Sequence, residues 1–204
     1  MAKPKLQLLP QRVPSNVADP IGRAIGRAGV TPNAISVLGF AGVVVAAWLV
    51  TRERLIAAGV VFVAFSALDL LDGAVARATG KATPYGAVLD AVLDRAGEIA
   101  LLAGCAWYFA VRGEQVQVAL TFAALLGSVS VSYMRARAEC AGMSMREGLF
   151  RRQERVALLT VGLLLDGLTV VIGVMAVLTN LTALQRFTTL ARGLRKLDAK
   201  APGP

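Results

Sequence analysis

Residues 69–94 read Asp69-Leu70-Leu71-Asp72-Gly73-Ala74-Val75-Ala76-Arg77-Ala78-Thr79-Gly80-Lys81-Ala82-Thr83-Pro84-Tyr85-Gly86-Ala87-Val88-Leu89-Asp90-Ala91-Val92-Leu93-Asp94. Four aspartates stand in otherwise apolar sequence. Asp69 and Asp72 are three apart and Asp90 and Asp94 four apart, so each pair shares one face of a helix. The stretch Thr79-Gly80-Lys81-Ala82-Thr83-Pro84 between them is rich in helix-stopping residues. The reading is two antiparallel helices joined by a turn. With Arg77 and Gly86 taken as their ends, Asp72 and Asp90 lie roughly 6–8 Å deep and Asp69 and Asp94 roughly 12 Å, at about 1.5 Å per residue. The acids then pair by depth, Asp72 with Asp90 and Asp69 with Asp94.

The surrounding sequence makes those acids costly. Apolar blocks run over 34–50, 55–68 (continuing past the aspartates to 76), 87–111, 116–134, 156–165 and 168–184. A helix needs about 20 mostly apolar residues to cross the hydrocarbon of a bilayer. The blocks predict an all-α integral membrane protein with six transmembrane helices. The fifth is short unless it begins near Arg152, and Asp166-Gly167 is a tight link to the sixth. The alternative is that two of the blocks are core helices of a soluble bundle. Composition agrees with the membrane reading: of 204 residues 56% are hydrophobic and 17% charged, and mean hydropathy is +0.62.

Charge sets the orientation. Lys and Arg number 22 against 13 Asp and Glu. Nearly all the basic residues fall before the first span, between the second and third, between the fourth and fifth, or after the sixth. Only Arg52, Arg54 and Arg112 lie on the other side, and Arg95 lies within the third block. Both termini are therefore expected in the cytoplasm, in a multi-pass protein of the cell membrane. Asp19-Pro20 starts a short helix to about Ala28, with Ile21 and Ile25 on one face and Arg23 and Arg27 on another, which suits an interfacial amphipathic helix; a plain linker is the other reading. Residues 1–30 then form a cytoplasmic segment with that juxtamembrane helix, 31–190 the six-helix domain, and 191–204 a basic tail. Thr31-Pro32-Asn33 repeats the helix-start signal at the first span.

Four carboxylates facing one another need counter-charge. The chain has no histidine, and Cys105 and Cys140 are 35 apart with no CxxC. Imidazole mechanisms are excluded, and the cysteine spacing argues against a thiolate metal site. A hard divalent cation is the remaining partner: Mg²⁺, Mn²⁺ or Ca²⁺, with room for two ions. The structural alternative is that the acids pair with arginines to join helices. Gly73 would let a ligand approach the helix backbone; helix packing is its alternative.

The pattern Asp69-x2-Asp72-Gly73-x2-Ala76-Arg77-x8-Gly86-x3-Asp90-x3-Asp94 resembles the complete signature of the CDP-alcohol phosphotransferases, eight fixed residue types over 26 positions. The resemblance implies a six-helix enzyme that binds a CDP-linked lipid, usually CDP-diacylglycerol. An acceptor hydroxyl attacks the lipid-side phosphorus and CMP leaves. It implies that Asp69, Asp72 and Asp90 ligate two divalent ions, commonly Mg²⁺, that Asp94 lies at the second ion, and that Asp94 is the general base. Gly73, Arg77 and Thr83, with Thr31, Pro32, Asn33 and Ala34, would contact the CDP portion. It also implies a homodimer, for which Gly39 and Gly42 offer small-residue contacts.

The acceptor is read elsewhere. Ser132-Tyr133-Met134-Arg135-Ala136-Arg137-Ala138-Glu139 and Arg151-Arg152-Gln153-Glu154-Arg155 form a basic cluster at the same end, suited to a second phosphate. Ordinary positive-inside charge is the alternative and is preferred for Arg146 and Arg151. This segment resembles the bacterial phosphatidylinositol phosphate synthases, as does Gln185-Arg186 less specifically. The resemblance implies that Arg135, Arg137, Arg152 and Arg155 hold the phosphate of inositol 1-phosphate. Phosphatidylglycerophosphate synthases, with glycerol 3-phosphate as acceptor, share the aspartate motif. A cation transporter is the reading from another class. Against it, all four acids lie in the cytoplasmic half and nothing ionisable continues toward the far side. An assembly factor with a relic motif is disfavoured by the intact signature. The positive surplus is thus topology plus an anion pocket, with membrane lipids as partners and no nucleic acid.

Overall fold

A computed structural model describes residues 30–80, 82–145 and 148–199. The side chains of 69–74, 77–79 and 196–198 lie outside that description, as does the expected interfacial helix before residue 30. The described residues form helices and turns, with no strand. Six helices run in order: α1 Pro32–Thr51, α2 Leu55–Thr79, α3 Pro84–Val111, α4 Gln115–Cys140, α5 Arg152–Leu164 and α6 Leu168–Asp198. Three of them, α1, α4 and α6 as far as Arg195, are long and apolar enough to cross a membrane. The other three carry the aspartates and the paired arginines.

Among the described residues each helix packs on two others, and the pairs close a ring in the order α1–α2–α5–α6–α4–α3. Glycines set several of these contacts. A Cβ on Gly104 of α3 would stand 2.7 Å from the Ala47 carbonyl oxygen of α1. Gly127 of α4 lies under Thr179 and Asn180 of α6, and the Asn180 amide donates to the Ala123 carbonyl across that interface at 2.8 Å. Gly42, expected to serve a dimer, is covered by the Phe65 ring of α2 in the same chain. Its small size is used inside the ring.

The apolar core fills the half of the ring farthest from the aspartates: Val50, Leu101, Leu102, Cys105, Phe109, Leu163, Leu168, Ile172 and Met175 are buried there. Large apolar side chains such as Trp48, Trp107, Phe122, Val170 and Leu184 point outward, as a lipid-facing surface requires. Loops 52–54 and 112–114 at this far end are joined by Arg112, which reaches Glu53 at 3.3 Å and Glu114 at 3.1 Å and lies over the Tyr108 ring. Helix α5 begins at Arg152 and has only 13 residues, about 20 Å of helix. Its tight link to α6 is made with Asp166 in the left-handed region, φ 52°. Helix α6 runs on to Asp198, past both the expected span end at Leu184 and the expected start of the tail. Nothing in 185–198 breaks a helix, and Arg186 anchors it by donating to the Val131 carbonyl of α4 at 2.7 Å.

Candidate active site

Two helix starts meet at one end of the ring. Thr31-Pro32-Asn33-Ala34 opens α1 and Thr83-Pro84-Tyr85-Gly86 opens α3. In each the threonine hydroxyl caps the helix, accepting from Ala34 N at 3.2 Å and from Gly86 N at 3.0 Å, with proline in the first turn. A Cβ on Gly86 would stand 2.9 Å from Asn33 Oδ1, so the two N-termini abut. The expected CDP contacts Thr31, Pro32, Asn33, Ala34 and Thr83 are thereby gathered at two adjacent positive helix ends, which favour a phosphate.

Helix α3 carries its acids from that start inward, Asp90, Asp94 and Glu98, at four-residue spacing and all half-buried. Asp94 Oδ1 lies 2.5 Å from Nη2 of Arg152, the first residue of α5. One turn deeper, Arg155 grips Glu98 with two bonds, Nε to Oε1 at 2.6 Å and Nη2 to Oε2 at 3.0 Å. The Ser128 hydroxyl of α4 donates to the same Oε1 at 2.5 Å. Two stacked ion pairs thus span α3 and α5. The outer one is open to the site end, with Arg152 37% exposed, whereas Arg155 is 2% exposed. Beside them is a cavity of about 30 Å³, lined by Ser36 and Phe40 of α1, Phe65 and Ser66 of α2, and Asp94, Glu98 and Arg152. The helices that bear the aspartates stand on either side of it, each leaning on α1.

The expected site residues therefore divide. Asp94 and Arg152 meet, the two helix starts abut, and Asp90 lies between them along α3. Arg135 sits at the exposed end of α4, paired with Glu139 at 2.9 Å, and Arg137 is exposed in the last turn of α4. Asp69, Asp72, Gly73 and Arg77 fall on α2, with side chains outside the description. Arg155 has its guanidinium buried on Glu98, with Nη1 buried and without a hydrogen-bond partner among the described residues. Glu98 is a correction: it continues the ionisable groups one turn toward the far side, where none was expected. The spacing Asp90-x3-Asp94-x3-Glu98 on one helix face was the signal. As the alternative reading of the acids supposed, arginines do join helices at both Asp94 and Glu98.

Among the described residues, no three acidic or thiol groups gather at one point. The donor set nevertheless fits a hard divalent cation. Asp94 brings a carboxylate to the cavity and is in close contact with a positive group, Asp90 stands one turn nearer the start of α3, and both thiols are elsewhere, Cys105 in the core and Cys140 at the end of α4.

A ring of helices among the described residues, three of them long and apolar enough to cross a membrane, with an aspartate–arginine pair and two helix N-termini toward one end, defines a helical membrane protein with a polar site suited to phosphate. The sequence model of the CDP-alcohol phosphatidyltransferases matches residues 29–191. The chain is similar to an archaetidylinositol phosphate synthase of Pyrococcus horikoshii, 35% identical over 81% of this chain and 86% of the relative. It is 34% identical to a phosphatidylinositol phosphate synthase of Mycobacteroides abscessus, over 94% of this chain and 91% of the relative. Crystal structures of the Mycobacterium tuberculosis phosphatidylinositol phosphate synthase superpose with a TM-score of 0.80 at 33% identity. The form with CDP-DAG bound is matched over 86% of this chain and 94% of that one, and the complex with manganese and citrate over 85% and 88%. The chain belongs to the CDP-alcohol phosphatidyltransferase family, and it is a metal-dependent transferase of phospholipid biosynthesis.

Proposed function

We propose that the protein transfers the phosphatidyl group of CDP-diacylglycerol to inositol 1-phosphate, giving phosphatidylinositol phosphate and CMP. The contact that carries this reading is Asp94 with Arg152 at 2.5 Å. It joins the carboxylate face of α3 to the basic start of α5, so the group expected to take a proton and a group expected to hold the acceptor phosphate share one site. The names of the relatives agree: both contain inositol phosphate and they differ in the lipid part.

In this reading the helix starts at Thr31–Ala34 and Thr83, with Gly73 and Arg77, hold the CDP portion. Arg135, Arg137, Arg152 and Arg155 orient the acceptor phosphate through charge-assisted hydrogen bonds. Asp94 takes the proton of the attacking hydroxyl. The hydroxyl oxygen bonds to the lipid-side phosphorus, the bond from that phosphorus to the CMP oxygen breaks, and CMP carries away the electron pair. Asp69, Asp72, Asp90 and Asp94 would hold two Mg²⁺ ions, with Mn²⁺ as a substitute. Bound there, the cations supply neutralisation of the diphosphate and stabilisation of the leaving phosphate. All six helices cross the cell membrane, both termini and the site face the cytoplasm, and the enzyme works as a homodimer.

The assay uses purified protein in detergent with CDP-diacylglycerol and Mg²⁺, offered inositol 1-phosphate, glycerol 3-phosphate, inositol or serine separately. CMP release with inositol 1-phosphate is expected. Release only with glycerol 3-phosphate would overturn the acceptor. For orientation, Cys140 is exposed and Cys105 buried. A membrane-impermeant maleimide should label Cys140 in inside-out vesicles and not in right-side-out ones; the reverse pattern would invert the topology.

A further inference from the structure

We propose that Gln185 is a positioning residue for the acceptor subsite. The continuation of α6 past Leu184 braces the loop from α4 to α5, and that loop carries the acceptor arginines on its two flanks. This rests on the acceptor reading above and deepens it.

Three observations carry the inference. First, the ring divides by substrate. Among the described residues α6 packs on α4 and α5 and on no other helix. Those two bear Arg135, Arg137, Arg152 and Arg155, whereas the residues assigned to the CDP portion stand on or just before α1, α2 and α3. A change at the end of α6 is therefore felt on the acceptor side. Second, the loop is fastened to α6 at separate points. The Leu149 amide donates to Gln185 Oε1 at 3.3 Å. The backbone at Gly148 lies against the Arg186 guanidinium, where a Cβ would stand 3.1 Å from Nε. Farther along α6, Met143 covers Gly193, whose Cβ would stand 2.6 Å from Sδ. The turn at Met143 is itself closed, its amide donating to the Ala138 carbonyl at 2.9 Å. Third, the fastened stretch runs straight into the arginines. Leu149 is followed by Phe150 and Arg151, both buried, and then by Arg152. Glu154 accepts from the Arg151 amide at 2.9 Å, which starts α5 at a fixed residue. With so little slack, a shift at Leu149 displaces the first turn of α5. Gln185 acts through that backbone.

The test uses the full chain in CDP-diacylglycerol mixed micelles with Mg²⁺, with KM measured for each substrate and thermal unfolding recorded alongside. Gln185→Met keeps the length of the side chain and removes the acceptor of the Leu149 amide, while every arginine stays in place. It should raise the KM for inositol 1-phosphate about threefold, the effect of one hydrogen bond that orients a binding cluster. The KM for CDP-diacylglycerol should stay within about twofold, because that substrate is held on the other helices. Gly193→Val drives a side chain into Met143 and should raise the acceptor KM by about two- to threefold. It keeps the proposal testable if Gln185→Met does not fold. Arg192→Ala removes an exposed charge beside Gly193 without touching the fastening, and should leave both KM values within about twofold. Unchanged KM values in Gln185→Met and Gly193→Val, or equal rises for the two substrates, would overturn the proposal. So would a rise in Arg192→Ala as large as that in Gln185→Met, which would assign the effect to charge. A wild type that releases CMP only with glycerol 3-phosphate defeats the inositol reading alone, since the KM split is then read for that acceptor.

Discussion

The two ends of the molecule each hold arginine–glutamate contacts, and they are opposite in kind. At the far end Arg112 bridges Glu53 and Glu114 across two loops, with side chains 45%, 56% and 29% exposed. Toward the site end Arg155 meets Glu98 inside the ring, 2% and 14% exposed. The first set is solvated, and exposed pairs of that sort contribute little. The second removes two charges from water and depends on good geometry and on Ser128 to offset that cost. The same residue types therefore make a removable clasp in one place and, in the other, a clamp that neither partner can leave alone. Burial, and not residue type, decides which.

Several changes would break or sharpen this contrast. The largest effect is expected at the outer pair. Asp94→Asn should lower turnover by about 10²–10⁴ while CDP-lipid binding persists, the range for a lost general base; CMP release and equilibrium lipid binding measure the two, and near-normal turnover would remove Asp94 from that role. Next comes the clamp. Arg155→Met leaves Glu98 as an uncompensated buried charge and should cost about 3–5 kcal/mol of stability. Replacing both members by leucine should recover most of that loss, which unfolding in detergent would read. A smaller loss follows at the α4–α6 seam, where Gly127→Val would drive a side chain into Thr179. Overpacking there should cost about 1–3 kcal/mol, again read by unfolding. The smallest effect is at the clasp. Arg112→Ala should leave the melting temperature and turnover unchanged within error, and a marked fall in either would erase the contrast between the two ends.

Much of the site was legible along the chain because helical spacing is local. Asp90 and Asp94 four apart must share a face, and the repeated Thr-Pro start had to cap a helix wherever it occurred. The arginines were not legible in the same way. Arg152 and Arg155 look equivalent in sequence, both basic and both at the start of α5. Only their rotation about the helix axis and the helices around them separate an exposed arginine at the cavity from a buried one on Glu98. Glu98 was missed for a related reason. It lies beyond the familiar motif, and its meaning depends on a partner 57 residues away.

By itself the sequence determined six helices, the places where they begin, the end that gathers positive charge and the family to which the chain belongs. These follow from local periodicity, from proline and threonine at helix starts, and from the high cost of placing charge in hydrocarbon. The tertiary structure decided which helices are neighbours in the ring, that Gly42 is used against Phe65 within the chain, and that Asp94 meets Arg152 while Glu98 claims Arg155. Those outcomes depend on contacts between residues far apart in sequence, and such contacts are set by packing in three dimensions, which no spacing along the chain encodes.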